Sequence, residues 1–213
     1  MIVHAYGGLC NRLRVVLSYQ AVHGEIGVVW LPDEEIAFAH FLDVFEPIPG
    51  VTWIDEPERA EVRTLCAHPN APGEGLLAYR SLRPLKGGPV LPRPYAAMHI
   101  RRTDHVGLAQ AAGTYTDDTQ FRDWLAHQRE RLVYIATDNE GTQLSFSAYA
   151  RTLGIEPMVS APIRDRDAQR HTTLAHAVDD LFACAGASSF MGSGESSFSN
   201  TVSMLRRLGG WWS

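Results

Sequence analysis

Strand-like and helix-like stretches alternate four times in the second half of the chain, and this rhythm constrains the fold more than any other feature. The strand-like pieces are "AAMHIR", "RLVYIATD", "PMVS" and "SSFMGSG". Helical stretches follow them, near Asp118 to Glu130, Gly141 to Leu153, Thr172 to Ala185, and through "SSFSNTVSMLRRL". Short apolar strands separated by helices imply a mostly parallel sheet with right-handed crossovers. The expected class is therefore α/β. In such sheets ligands bind beyond the carboxyl ends of the strands. The conspicuous polar residues sit there: Gly7 and Gly8, Arg101 and Arg102, Asp138, and Ser193.

The first half repeats the pattern less regularly. "MIVHAY", "IGVVWL" and "VTWID" read as strands, and "GGLCN" as a tight turn. Leu13, Val16, Leu17 and Ala21 mark the buried stripe of a helix that Asn11 is placed to cap. Residues 68 to 94 are rich in Pro and Gly, poor material for regular structure. Pro89, Pro92 and Pro94 suggest a linker, which divides the chain into a domain of residues 1–92 and another of residues 93–213.

A net charge of −5 over 213 residues argues against a surface that binds nucleic acid as a whole, though not against a local basic groove. The three cysteines, Cys10, Cys66 and Cys184, form no C-x-x-C pair. They read as small buried hydrophobes in a reducing compartment. No apolar run spans a bilayer, so a cytoplasmic location and no membrane partner are expected.

The stretch "HIRRTD" places two guanidinium groups at a strand end. Strand alternation sets His99 and Arg101 on one face and Arg102 on the other. The rigid fork of an arginine suits paired phosphate oxygens, while pairing with local carboxylates such as Asp104 is the plainer alternative. "GSGESSFSN" offers a glycine turn and then hydroxyls at a helix start, where unpaired N–H groups favour an anion. Plain capping by Ser196 or Ser197 would also explain it. Asp138 could equally cap a helix, and "VDDL" could be a solvated face.

The order of these signals is more specific than any one of them. G-G-L-x-N-R-L, H-x-R-R-T-D, Y-x-A-T-D and D-L-(x)11-G-S-x-x-S-S-F-S together resemble the fucosyltransferase superfamily. The stretch from His99 to Ala112 is most similar to the α1,6 group. The superfamily also takes in the rhizobial chitooligosaccharide and protein O-fucosyltransferases. The resemblance implies a GT-B-like fold: two Rossmann-like domains with mostly parallel sheets facing across a cleft, the first of them shortened and on the acceptor side.

The resemblance further implies an inverting transfer of a sugar, fucose from GDP-fucose in particular, to a hydroxyl acceptor. No metal or other cofactor is implied, and the nucleotide sugar is the substrate. By resemblance Arg101 grips the donor diphosphate and Arg102 supports it. His99 and Asp180 match guanine-recognising positions. Ser193, Ser196 and Ser197 cradle the phosphates, Gly7, Gly8 and Asn11 face the sugar, and Asp138 is the second-motif acid. The chain departs from the pattern at Ala109, where the α1,6 group has a glutamate proposed as general base. His105 is the nearest substitute, with Asp117 or Asp118 as others. The acceptor stays open between a glycan, a small saccharide, a protein and a modified nucleic-acid base. A nucleotide-sugar-binding protein without transfer, or a user of another sugar nucleotide, is the alternative. Trp211 and Trp212 are expected to pack.

Overall fold

The computed structural model describes residues 1–32, 39–92, 94–103, 106–160 and 173–209. They form two compact units. One comprises Met1–Gly87 together with the chain from Met204 on, and the other Gly88–Ser203.

In the first unit, strand β1 (Ile2–Ala5) leads to helix α1 (Leu9–His23), followed by β2 (Ile26–Val29), β3 (Val51–Ile54) and β4 (Val62–Thr64). The four strands are all parallel in the order β3-β2-β1-β4. Three of these strands lie within the apolar runs of the sequence. β4 does not: its Val-Arg-Thr is a three-residue edge strand with no fully buried side chain. Helix α1 buries Leu9, Leu13, Val16 and Leu17 as its spacing requires.

The Pro/Gly-rich segment is more ordered than its composition suggests. Pro72–Ser81 forms a 3-10 run packed on α1. Gly75, at φ +75°, comes so near α1 that a Cβ would lie 3.0 Å from Ser18 Cα and 3.1 Å from the Leu17 carbonyl oxygen. Tyr79 and Leu82, in and just after that run, are fully buried.

The second unit contains β5 (Ala96–Ile100), α2 (Val106–Ala111), α3 (Asp118–Ala126), β6 (Leu132–Thr137), α4 (Glu140–Thr152), β7 (Glu156–Met158), α5 (Leu174–Gly186) and β8 (Ser189–Gly192), and α6 (Ser197–Leu208) belongs to it as far as Ser203. Its sheet is also all parallel, in the order β7-β6-β5-β8. β5 is central and buried along its whole length, as a strand covered on both faces must be. Ala96, Met98 and Ile100 join Val133, Ile135, Phe121, Leu125, Phe146 and Ala150 in one core on the side of α3 and α4. Ala97 and Tyr134 are register partners, as are His99 and Ala136. By the strand alternation these four belong to the other face, where Tyr134 meets α5 and His99 meets α6.

Two cysteines, Cys10 and Cys184, are buried as expected, but Cys66 is exposed just past β4. Among the described residues no helix is long and apolar enough to cross a membrane.

Candidate functional site

In the second unit the site is built where β5, β6 and β8 end. Arg101 and Arg102 follow β5, Asp138 follows β6, and Ser193 follows β8. The in-line parallel register puts these exits side by side: His99 is level with Ala136 on β6 and with Gly192 on β8.

Two side chains fasten the backbone after β5. The Arg101 N–H donates to Ser193 Oγ at 2.9 Å. The Arg102 N–H donates to Asp138 Oδ1 at 2.8 Å. Asp138 Oδ2 also accepts from the Thr103 hydroxyl and from the Thr103 N–H at 3.4 Å. The Arg101 Nε lies 4.0 Å from Asp138 Oδ2. Asp138 therefore orders the arginine loop and does not cap a helix. Capping of α4 falls to Asn139, whose Oδ1 accepts from the Thr142 N–H at 2.8 Å.

Arg102 is turned to a structural task. Its guanidinium meets Asp118 Oδ1 at 2.6 Å and donates to the Thr116 and Arg101 carbonyls, each at 3.2 Å. It also lies over the rings of Tyr115 and Phe121. Asp118 is thereby engaged through Oδ1 in an ion pair with Arg102. Asp117 is committed as well: it is the N-cap of α3, in a capping box with Gln120. His105, like Asp104, Trp211 and Trp212, lies outside the described residues. Ala109 is buried in α2 with its carbonyl accepting from the Thr114 N–H.

The "GSGESS" turn fits between these parts closely. Gly192 lies against Ser199, where a Cβ would fall 2.5 Å from the serine side chain. At Gly194 a Cβ would fall 2.0 Å from the Thr114 carbonyl oxygen, and its N–H donates to Thr116 Oγ1 at 3.0 Å. Glu195 takes a left-handed conformation, φ +52°. Ser196 is buried just ahead of α6, and its hydroxyl oxygen faces the Ser199 N–H at 3.5 Å, a weak N-cap. Ser197 is the first helical residue. Helix α6 thus opens shortly after Ser193, and the free N–H groups of a helix's first turn suit an anion.

His99 is almost fully buried on the α6 side, stacked on Phe198 at 4.3 Å with Nδ1 paired to Ser199 Oγ at 2.9 Å. Asp180 is also buried, so this half of "VDDL" is not a solvated face. Its Oδ1 accepts from the Tyr134 hydroxyl at 2.6 Å. Burial pushes the Asp180 carboxyl up to about 6, against the pull of hydrogen bonds from Tyr134 and Ser160. Burial and the neighbouring Asp180 charge push the Tyr134 hydroxyl up in turn.

In the first unit the "GGLCN" turn follows β1. Gly7 takes φ +83°, and Gly8 is the N-cap of α1 with extended dihedrals. Asn11 lies inside α1, so it does not cap that helix. Its Oδ1 accepts from Arg14 Nη2 at 3.1 Å. Sequence reasoning passed over Arg12, which is buried. Its Nε donates to the Gly7 carbonyl at 2.7 Å, and it reaches the Leu31 carbonyl and the Trp30 ring. The N-R-L triplet was the available signal, an arginine one residue from Asn11 on a helix that faces the sheet.

Two Rossmann-like units with parallel sheets in one chain are compatible with a GT-B-like fold. Solved structures that share this fold include fucosyltransferases. POFUT1, a protein O-fucosyltransferase, in complex with GDP matches with a TM-score of 0.65 at 13% identity, over 98% of this chain and 95% of that one. POFUT1 with GDP-fucose gives 0.63 at 12% identity over 98% and 95%. The fucosyltransferase NodZ from Bradyrhizobium gives 0.56 at 14% identity over 94% and 91%. No family model matches the sequence, and no curated protein matches it closely.

Proposed function

We propose that the chain is an inverting, metal-independent glycosyltransferase that takes its sugar from GDP-fucose and passes it to a hydroxyl acceptor. The observation that carries this reading is the junction of β5, β6 and β8. There the main chain at Arg101 is fastened to the Ser193 hydroxyl, and helix α6 opens shortly after Ser193, in a fold shared with proteins solved with GDP and GDP-fucose. As the glycosidic bond to the donor breaks, negative charge grows on the leaving diphosphate. Arg101 and the α6 N–H groups supply preorganised positive potential for that charge, the role a metal has elsewhere. His99 and Asp180 share the face toward α5 and α6, which suits recognition of guanine. A carboxylate accepts from both the N1–H and the exocyclic amine of that base.

The test is Arg101→Ala. Its main-chain anchor to Ser193 does not involve the guanidinium, so the variant should fold with an unchanged far-UV spectrum. Its release of GDP from GDP-fucose, to water or to an acceptor pool, should fall at least a hundredfold. Turnover like the wild type in a folded variant would refute the mechanism.

A second reading, a nucleotide-sugar-binding protein without transfer, is favoured by one observation. The position of the proposed base holds Ala109, and both nearby aspartates are committed elsewhere. Tight GDP binding with neither hydrolysis nor transfer would establish it.

A further inference from the structure

The first sheet carries a basic pair that the site described above does not use. His4 on β1 and Arg63 on β4 are register partners on adjacent parallel strands. Their side chains therefore leave the same face, about 4.8 Å apart at the base. Tyr6, two residues beyond His4, continues that face. The Arg63 guanidinium lies over the Tyr6 ring at 5.0 Å, which draws it toward the carboxyl end of β1. Arg63 is exposed and His4 half-buried, so solvent reaches both. Among the described residues Arg63 has no ion pair, and neither ring nitrogen of His4 has a hydrogen bond. Glu61, the carboxylate leading into β4, is turned the other way. It accepts from the Ile2 N–H at 3.0 Å and faces the Met1 amino group at 4.0 Å.

A second guanidinium bears on the pair. Arg12, buried and bonded to the Gly7 carbonyl, adds its charge to that of Arg63. Burial, then Arg63 and Arg12, hold the His4 imidazole below its ordinary pKa. Like charges opposite one another on neighbouring strands are destabilising, and the histidine avoids that cost only in its neutral form.

These features restrict the occupant. A cation is repelled by both guanidinium groups. A neutral ligand can bond the imidazole but leaves the charge of Arg63 unanswered. An oxyanion can pair with the guanidinium fork and also accept from the imidazole, and its charge favours the protonated ring. We propose that His4 and Arg63 bind an oxyanion, a carboxylate or phosphate carried by a small molecule. Assigning that group to the acceptor of transfer rests on the transferase reading above, whereas the binding itself does not.

The experiment is histidine-ring NMR on the full chain, with the His4 signal assigned by its loss in His4→Gln. The probes are methyl glucuronide, inorganic phosphate and, as a neutral contrast, methyl glucoside. At least one of the two anions should shift the His4 signal saturably and move its titration to higher pH. The glucoside should do neither. A response to glucuronide alone assigns a carboxylate, to phosphate alone a phosphate, and to both an oxyanion of either kind. Arg63→Gln, at an exposed position on an edge strand, should weaken binding about tenfold or more by removing the charge. Circular dichroism verifies that the variant is folded.

The proposal is overturned if neither anion saturates the His4 response or if folded Arg63→Gln binds as well as the wild type. It is also overturned if saturating GDP abolishes the response, which would make the pair part of a donor site. GDP binding, followed by thermal shift, is read separately. A chain that binds an anion at His4 but never GDP would refute the transferase reading and leave this site standing. GDP binding without a response at His4 would do the reverse.

Discussion

Replacing Asp180 by asparagine measures what the fold spends on holding a charge under α5. The carboxyl is pushed from 3.8 to about 6, chiefly because burial removes it from water. That difference corresponds to about 3 kcal/mol between its two protonation states. The neutral form is the one the fold prefers. Below pH about 4 the group is protonated whether the chain is folded or not, and it carries no penalty. As pH rises from about 4 to about 6 the unfolded chain ionises more readily than the folded one, so stability falls. Above about 6 the full penalty of about 3 kcal/mol is in place. Asparagine never ionises, and its amide oxygen can still accept from the Tyr134 hydroxyl, which now bonds Asp180 at 2.6 Å. Asp180→Asn should therefore stabilise the chain by about 2–3 kcal/mol near pH 7.5, raising Tm by about 4–10 °C for a chain of this length. Near pH 4 the two proteins should melt together. The assay is thermal unfolding followed by circular dichroism across that range. A variant less stable than the wild type at pH 7.5, or a gap that does not change with pH, would refute the reasoning. The same variant should bind GDP more weakly, since an amide cannot accept from two guanine donors as a carboxylate does.

Asp138→Ala should destabilise by about 3 kcal/mol in urea unfolding, because it strands the Arg102 N–H and both Thr103 donors. Asp138→Asn, which keeps an acceptor oxygen, should cost less, and both should weaken GDP binding. Gly194→Ala drives a methyl group into the Thr114 carbonyl, a backbone atom that has no rotamer to yield. It should cost about 1–3 kcal/mol and speed amide exchange at residues 114–116 and 192–196.

The parts of this fold that could be read from sequence are those in which one physical requirement dominates. A strand buried on both faces must be apolar throughout, and "AAMHI" is, apart from a histidine that finds Ser199 and Phe198. The ends of such strands must carry whatever polar chemistry the sheet supports, which located Arg101, Asp138 and Ser193. β4 escaped because its pairing to β1 is made by backbone groups and calls for little apolar side chain. The 3-10 run over Pro72–Ser81 escaped because its glycines and prolines look like breakers until α1 is set against them. At the site, residue types were legible but allegiances were not. Nothing local in the sequence distinguishes an aspartate that orders an arginine loop from one that caps a helix. The choice between Asp138 and Asn139 is made by the depth at which β6 ends.

The two fastenings of the arginine loop hold main-chain N–H groups, not guanidinium. The path of the loop is therefore set from Ser193 and Asp138, and Asp138 faces the Arg101 guanidinium at 4.0 Å as well. A substitution at residue 101 removes that ion pair but leaves both main-chain fastenings available. The converse bears on reading natural variation. A chain can keep every letter of "HIRRTD" and still have this loop displaced, through a change at a position about 36 or 92 residues further along.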